Sequence, residues 1–175
     1  MTIRIAKPMD AANLSELGRR SFFEKWKDTT SPENMAAYLD QTFTPEIIEQ
    51  EIADPSVIYL IAEENSGLAG YAKLMHTYPD LEEAGEHPGL QSKNPLEISR
   101  IYVEPKRIGQ SIGALLMQRI FEIAGHESCD LVWLGVWEQN PAVHFYERHG
   151  FVKIGTHKFI FGNQVDTDMV MVKKL

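Results

Sequence analysis

Cysteine is nearly missing from this chain: Cys129 is the single one in 175 residues. An intramolecular disulfide and a metal cluster of thiolates are thereby excluded. Beside Asp130, at the entry to an apolar stretch, Cys129 is expected to be a small buried residue rather than a nucleophile. Long apolar runs are missing too. None reaches the roughly 18 to 20 residues that a membrane helix needs, and the start lacks the basic-then-apolar order of a secretory signal, so a cytoplasmic protein without membrane contact is expected. Positive charge is in short supply: 17 Lys and Arg stand against 25 Asp and Glu, a formal net charge of -8. Neutralising phosphates takes a basic face, so the balance argues against non-specific nucleic-acid binding. It is compatible with a cationic substrate, and equally with plain solubility. No repeat or linker interrupts the chain, and no His/Asp/Glu spacing suggests a metal. What is present is an ordinary globular composition in a length that fits one domain over residues 1–175.

Thr2-Ile-Arg-Ile-Ala-Lys7 alternates apolar and charged residues, which predicts a half-buried opening strand that Pro8 ends. Asp10 is placed to cap a helix through about Lys27, with Ala11, Leu14, Leu17 and Phe22 inward. Ser31-Pro32-Glu33 and Thr44-Pro45-Glu46 each set a cap, a first-turn proline and an acid in order, predicting two further helices, the second through Ile52. Val57 to Glu63 and Leu68 to Met75 flank a turn cluster and read as an antiparallel hairpin. From Tyr78 to Asn94 the pattern lapses, and Asp80, Glu82, Glu83 and Glu86 gather there, either to help collect a polycation or as a solvated loop.

Leu131 to Trp137 carries no charge on either face, so it is expected inside the sheet with helices on both sides. Pro141 opens a short helix that stops at Gly150, with Phe145 and Tyr146 inside and His144 and His149 as surface residues. Gly162-Asn163 is a two-residue turn that predicts a closing hairpin between Phe151–Phe161 and Gln164–Val172. The fold class expected from these elements is α/β (α+β): a mixed, mostly antiparallel sheet of about seven strands flanked by helices.

One stretch organises the rest. From Glu97 to Ala114 a β-branched segment ends at Pro105, a short basic loop with Gly109 follows, and from Ser111 apolar residues recur at helical spacing. The first amides of such a helix have no internal partner, and the peptide dipoles place positive charge there, so an anion suits the position. Gly109 and Gly113 leave room, while Lys106 and Arg107 add charge. A plain strand-to-helix connection with two turn glycines is the alternative.

With the strand Leu131–Trp137 and the segment Asn140-Pro-Ala-Val-His-Phe-Tyr146, closed by Gly150-Phe151, this stretch resembles the GNAT superfamily of acetyl-coenzyme A dependent N-acetyltransferases. Ser31-Pro-Glu-Asn-Met-Ala-Ala-Tyr-Leu39, Leu96-Glu-Ile-Ser-Arg-Ile-Tyr102, Trp133-Leu-Gly-Val-Trp-Glu138 and Thr167-Asp-Met-Val-Met171 are similar to the PaiA-type spermidine/spermine acetyltransferases of bacteria. The resemblance covers nearly the full chain. It implies a GNAT fold whose two central strands splay apart, with acetyl-CoA as cosubstrate and no metal, and with the early helices walling the acceptor site. It also implies that a small amine, polycationic in the PaiA case, is the partner. Another small amine or a protein amine, or a coenzyme-binding sensor with little catalysis, are the other readings, and a homodimer is left open.

The resemblance also implies roles. The loop Ile108, Gly109, Gln110, Ser111, Ile112, Gly113 and Ala114 would hold the diphosphate, and backbone groups of Ile101, Tyr102 and Val103 would run beside the pantetheine. Asn140 would meet the pantetheine or its loop, and an Asn before Pro is also an ordinary helix cap. Tyr146 would protonate the departing thiolate, unless its ring is merely core. Glu97 would take a proton from the amine, unless it is a solvent-facing strand carboxylate; Ser99 and Glu138 are weaker relays. The loop departs from the usual Gln/Arg-x-x-Gly-x-Gly/Ala pattern, having Ile108 for Gln or Arg and Ser111 for Gly.

Overall fold

The computed structural model describes residues 1–65, 67–79 and 91–175. Its strands form one sheet in the order β1-β2-β3-β4-β5-β7-β6. They are β1 (Thr2–Ile5), β2 (Val57–Glu64), β3 (Gly67–Met75), β4 (Pro95–Val103), β5 (Leu131–Trp137), β6 (Val152–Phe161) and β7 (Gln164–Lys174). Every neighbouring pair is antiparallel except β4 with β5, as expected of a mixed, mostly antiparallel sheet. A parallel pair needs a crossover, and α4 (Ile112–His126) supplies it. The other α-helices among the described residues are α1 (Ala11–Trp26), α2 (Pro32–Thr42), α3 (Pro45–Ala53) and α5 (Val143–Arg148).

Local chemistry explains the helix starts. Ser31 Oγ accepts from the Asn34 N–H at 3.1 Å and Thr44 Oγ1 from the Ile47 N–H at 3.3 Å, each ahead of a first-turn proline. Asp10 does not cap α1, contrary to expectation. Arg4 donates to both of its oxygens, at 2.8 and 2.9 Å, and the Lys7 N–H to one at 2.7 Å, so the carboxylate ties β1 to the turn before the helix. The short helix α5 starts at Val143 rather than at Pro141, because Asn140 Oδ1 accepts from the Ala142 N–H at 3.0 Å and holds that dipeptide in a turn. Gly150, at φ 87, ends it.

On one face of the sheet α4 buries Ile112, Leu116 and Ile120 against Leu60, Leu74 and Leu96. Each such side chain stabilises the fold by about 1.5 to 3 kcal/mol. On the other face Leu17 of α1 and Ile48 of α3 pack on Ile61 and Tyr71, and Phe22, Met35 and Phe43 join Phe161 in an aromatic cluster. The expectation that helices cover β5 on both sides holds for one side alone. On the second side Leu131 and Trp133 pack with Val170 and Val172 of the neighbouring strand and with Ile154, where β6 bulges against β7. Cys129 is buried, as expected. No helix among the described residues is long and apolar enough to cross a membrane.

Two irregularities in β4 shape the centre of the sheet. Lys73 of β3 pairs with Arg100 while Leu74 pairs with Ile98, so Ser99 is an extra residue, and the bulge brings Glu97, Arg100 and Tyr102 to the face carrying α1 to α3. Arg100 is fixed there by the Tyr59 hydroxyl at 3.0 Å and by Glu51 at 3.4 Å, with Lys73 on the same carboxylate at 2.6 Å. Burial works against ionising Glu51, yet Arg100 and Lys73 hold its carboxyl below the usual range. The second irregularity is that β4 and β5 pair only over Pro95–Glu97 and Leu131–Trp133, then part.

Candidate active site

Beyond Glu97 and Trp133 the two central strands have no ladder between them. On its other edge β4 stays bonded to β3 as far as Val103, and the Glu104 N–H donates to the Ala69 carbonyl at 2.9 Å. By alternation, the backbone groups of Ile101 and Val103 then turn toward the gap, where an extended amide-bearing ligand could pair with them. A cleft of about 250 Å³ opens at this divergence, lined by β4 from Glu97 to Tyr102 and by Gly135, Val136, Trp137, Asn140 and Tyr146. The splay implied by the family resemblance is therefore present.

Below the gap lies the loop into α4. Pro105–Arg107 forms one 3-10 turn, Gly109 has φ 87, and Ser111 has φ 62. No backbone acceptor among the described residues meets the amides of Gly109, Ser111, Ile112, Gly113 or Ala114. These are the unpaired donors of a helix start, and they form a nest suited to an anion. Ser111 lies in the left-handed region and its hydroxyl makes no capping bond. Arg107 is not free for a ligand, since its guanidinium bonds Glu64 and lies 3.4 Å from Gln110 Oε1. Ile108 stands exposed where the family pattern has Gln or Arg. Gly113 faces Phe145, whose ring atoms would lie 3.5 and 3.6 Å from an added Cβ.

Tyr146 and Asn140 meet at the mouth of β5. The Tyr146 side chain is buried on α5, its hydroxyl bonds no other described residue, and burial raises its pKa above the ordinary phenol value. It is thus a neutral O–H donor at the cleft wall. Asn140 is buried, with Oδ1 committed to the Ala142 N–H. Glu97 sits at the apex of the split, opposite Trp133, and accepts a bond from the Thr77 hydroxyl. Ser99, the bulged residue, also lines the cleft, whereas Glu138 is exposed and outside its lining.

The other arm of the cleft was not foreseen. Phe22 and Trp26 of α1, Tyr38 of α2, Trp137 of β5 and Phe159 and Phe161 of β6 make its aromatic walls. Trp26 and Trp137 lie 5.3 Å apart by ring centroids. Asp166 and Asp168 of β7, His157 of β6 and Lys25 of α1 are its polar groups beside Glu97 and Arg100. Desolvation pulls the Lys25 ammonium down to about 8, with Asp168 opposing, although the side chain keeps contact with water along the open cleft. The signal in the sequence was faint: in Gln164–Val172 the positions of Asp166 and Asp168 share a face with buried Val170 and Val172, an unusual company for carboxylates. The acidic stretch from Asp80 to Glu86, expected to help gather a polycation, lies outside the described residues.

Away from the cleft, His76, Glu127 and Cys129 place ligand-type atoms within 4.8 Å of one another. The His76–Glu127 contact at 2.9 Å and the buried thiol account for that grouping as packing, though its donors could ligate a metal.

A seven-stranded sheet split at a parallel pair, with a bulge at the split and unpaired helix-start amides beneath it, is the arrangement of the GNAT fold. The chain belongs to the acetyltransferase (GNAT) family, whose model matches residues 13–151, so it is an N-acetyltransferase by family. An uncharacterized N-acetyltransferase from the pepI 3' region of Lactobacillus delbrueckii subsp. lactis is 30% identical over 167 residues, 95% of this chain and 92% of that protein. An uncharacterized N-acetyltransferase of Mycobacterium tuberculosis is 28% identical over 95% of this chain and 98% of its own length. Among solved structures, the PaiA N-acetyltransferase from Thermoplasma acidophilum in complex with coenzyme A superposes with a TM-score of 0.75 at 22% identity, covering 100% of both chains. Aminoglycoside 6'-acetyltransferase type Ii gives 0.67 at 20% identity, over 99% of this chain and 97% of that one.

Proposed function

We propose that this protein moves an acetyl group from acetyl-coenzyme A to a primary amine, most readily a polyamine such as spermidine or spermine, by direct attack in a ternary complex. The observation that carries the acceptor is the arm itself: aromatic rings and three carboxylates, Glu97, Asp166 and Asp168, converge beside Tyr146. Aromatic faces and carboxylates together favour an alkylammonium. The solved PaiA neighbour, in complex with coenzyme A, supports the coenzyme.

In this reading the amides from Gly109 to Ala114 hold the diphosphate, with the side chains of Ile108 and Gln110 flanking it. The backbone of Ile101, Tyr102 and Val103 continues along the pantetheine, and Asn140 keeps the turn that brings Tyr146 to the sulfur. Glu97 accepts a proton from the reacting nitrogen, directly or through water, and Tyr146 donates one to the thiolate. No step needs an acetyl-enzyme, since no activated nucleophile faces the cleft among the described residues. Residues 1–175 act as one cytoplasmic domain that needs no metal.

The test is thiol release from acetyl-coenzyme A with spermidine and spermine across pH 6 to 10. Saturable turnover that weakens with salt is expected; none with either polyamine at any pH ends the substrate claim. Lys25 motivates a second reading, an acceptor that carries an anionic group as well as its amine. A panel of amines, amino acids and aminoglycosides ranked by kcat/KM separates the two.

A further inference from the structure

An indole inside a sheet must find an acceptor for its N–H, and the one that Trp133 finds leads to the cleft. Trp133 is buried on β5, and its Nε1–H donates to the Thr77 carbonyl at 2.7 Å. Thr77 lies two residues past the end of β3, so this bond pins its backbone while its hydroxyl bonds Glu97 Oε2. An ionised carboxylate only accepts, so the hydroxyl donates. The arrangement closes on itself, because Glu97 and Trp133 are the last residues in register before β4 and β5 part. Indole, threonine and carboxylate form one unit at the apex of the split.

What the unit does follows from the two oxygens of Glu97. Oε2 is taken by Thr77, while Oε1 bonds no described residue and the side chain lines the cleft with Tyr146. A glutamate ending in an open cleft has several torsions to settle, and a base must stand within hydrogen-bond reach of the proton it removes. We propose that Thr77 is a positioning residue for Glu97: by holding Oε2 it turns Oε1 toward the reacting nitrogen. The inference rests on the acetyl-transfer reading with Glu97 as proton acceptor, and adds a residue that touches neither substrate nor coenzyme. In that step a neutral amine attacks the thioester, the C–N bond forms and the C–S bond breaks. Nitrogen passes a proton to Oε1, sulfur takes one from Tyr146, and water carries the proton of the carboxyl back to the phenolate.

Burial does not force this bond. Thr77 and Glu97 are both half-buried, so water could satisfy each without the other. What the threonine adds is direction, and it adds it from a residue whose own carbonyl is held.

The test is a double-mutant cycle of kcat between Thr77→Val and Glu97→Gln, run with the amine of highest kcat/KM, with Thr77→Ser alongside. Valine keeps the branched shape and removes the donor. Thr77→Val is expected to lower kcat about 10-fold, while the amine KM and coenzyme A affinity stay within about 2-fold. Thr77→Ser should recover most of the rate. In the Glu97→Gln enzyme, itself slowed about 100-fold, the same Thr77→Val change should cost less than about 2-fold. A merely structural threonine would cost the same in both backgrounds. Trp133→Phe, which keeps a ring but frees the Thr77 carbonyl, should lower kcat about 3-fold and add nothing to Thr77→Val. Wild-type kcat in Thr77→Val, or losses that add in the double variant, overturns the assignment and leaves Glu97 and acetyl transfer standing. Full activity in Glu97→Gln removes the base, and this inference with it, but not the transfer. Absence of turnover on every amine takes both readings down together.

Discussion

In the proposed reading, the coenzyme side of the cleft is drawn from one nearly continuous run of chain, from Ile101 through Ala114, completed by Asn140 and Tyr146. The acceptor side is assembled from α1, α2, β4, β5, β6 and β7, with Phe22 and Asp168 nearly the whole sequence apart. The first is local: a strand edge, a turn and a helix start. The second exists only after the sheet has folded and the β6–β7 hairpin has come down on α2, where Asn34 donates to Asn163 at 2.7 Å. A site written in consecutive residues can be read before folding, and one made by convergence cannot.

The difference can be tested where the arms meet. Tyr146 serves both, and replacing it with Phe should give the largest effect, a 10- to 1000-fold fall in kcat, as expected of a lost proton donor, with coenzyme A affinity kept. Equal losses in rate and in coenzyme affinity would mean that the ring, not the hydroxyl, matters. Gly113→Leu comes next and should separate the arms. The new side chain must displace Phe145, which lies at contact distance, so coenzyme A should bind at least about 10-fold more weakly while the amine KM holds. Asp166→Asn is the mirror experiment. It should raise the KM of spermidine about 10-fold and leave coenzyme binding alone, in keeping with a hydrogen-bonded charge contact of about 1.5 kcal/mol. If either variant damages the opposite arm instead, the two are not separable.

Lys25 tests the acceptor arm by charge. Desolvation lowers its ammonium toward about 8, with Asp168 and the exposure of the side chain opposing, so it loses charge as pH rises from 7 to 9. A cationic acceptor should then bind better as pH rises through that window, because a like charge leaves the arm while the substrate, near ~10.4, keeps most of its own. Water in the open cleft will soften the trend. Lys25→Met should flatten it; a KM that rises with pH in wild type would contradict the placement.

How much was legible follows the same division. The caps at Ser31 and Thr44, both hairpins and the helix that follows the Gly109 loop were readable because each depends on residues a few positions apart. Asp10 misled because Arg4, on another element, outcompeted the amides it was expected to cap. Arg107 misled in the same way, drawn off by Glu64. Gly135 was passed over as one more small residue in an apolar strand, since nothing near it in the chain says that an imidazole 22 positions later will lie on it. His157, Asp166 and Asp168 carried no motif at all.

The finest contrast lies within the coenzyme loop. Ser111 departs from the family's glycine, and the structure shows what that glycine is for: position 111 has φ 62, where a Cβ crowds the backbone at a cost of about 1 kcal/mol. Gly109, at φ 87, has the residue its conformation asks for. The two positions should therefore answer substitution with opposite signs. Ser111→Gly should relieve strain worth about 1 kcal/mol, offset in part by the freedom glycine regains in the unfolded chain, for a net gain near ~0.5 kcal/mol and a melting point higher by about 1 to 2 °C. Without the Cβ the phosphate also gains room, so coenzyme A should bind about 2- to 5-fold more tightly. Gly109→Ala has open space around its Cβ, so a loss of about 1 kcal/mol there can come only from backbone strain. Melting curves and coenzyme titrations of the pair decide the matter: shifts of the same sign would mean that the loop holds its shape for some reason other than left-handed geometry at its two turning points.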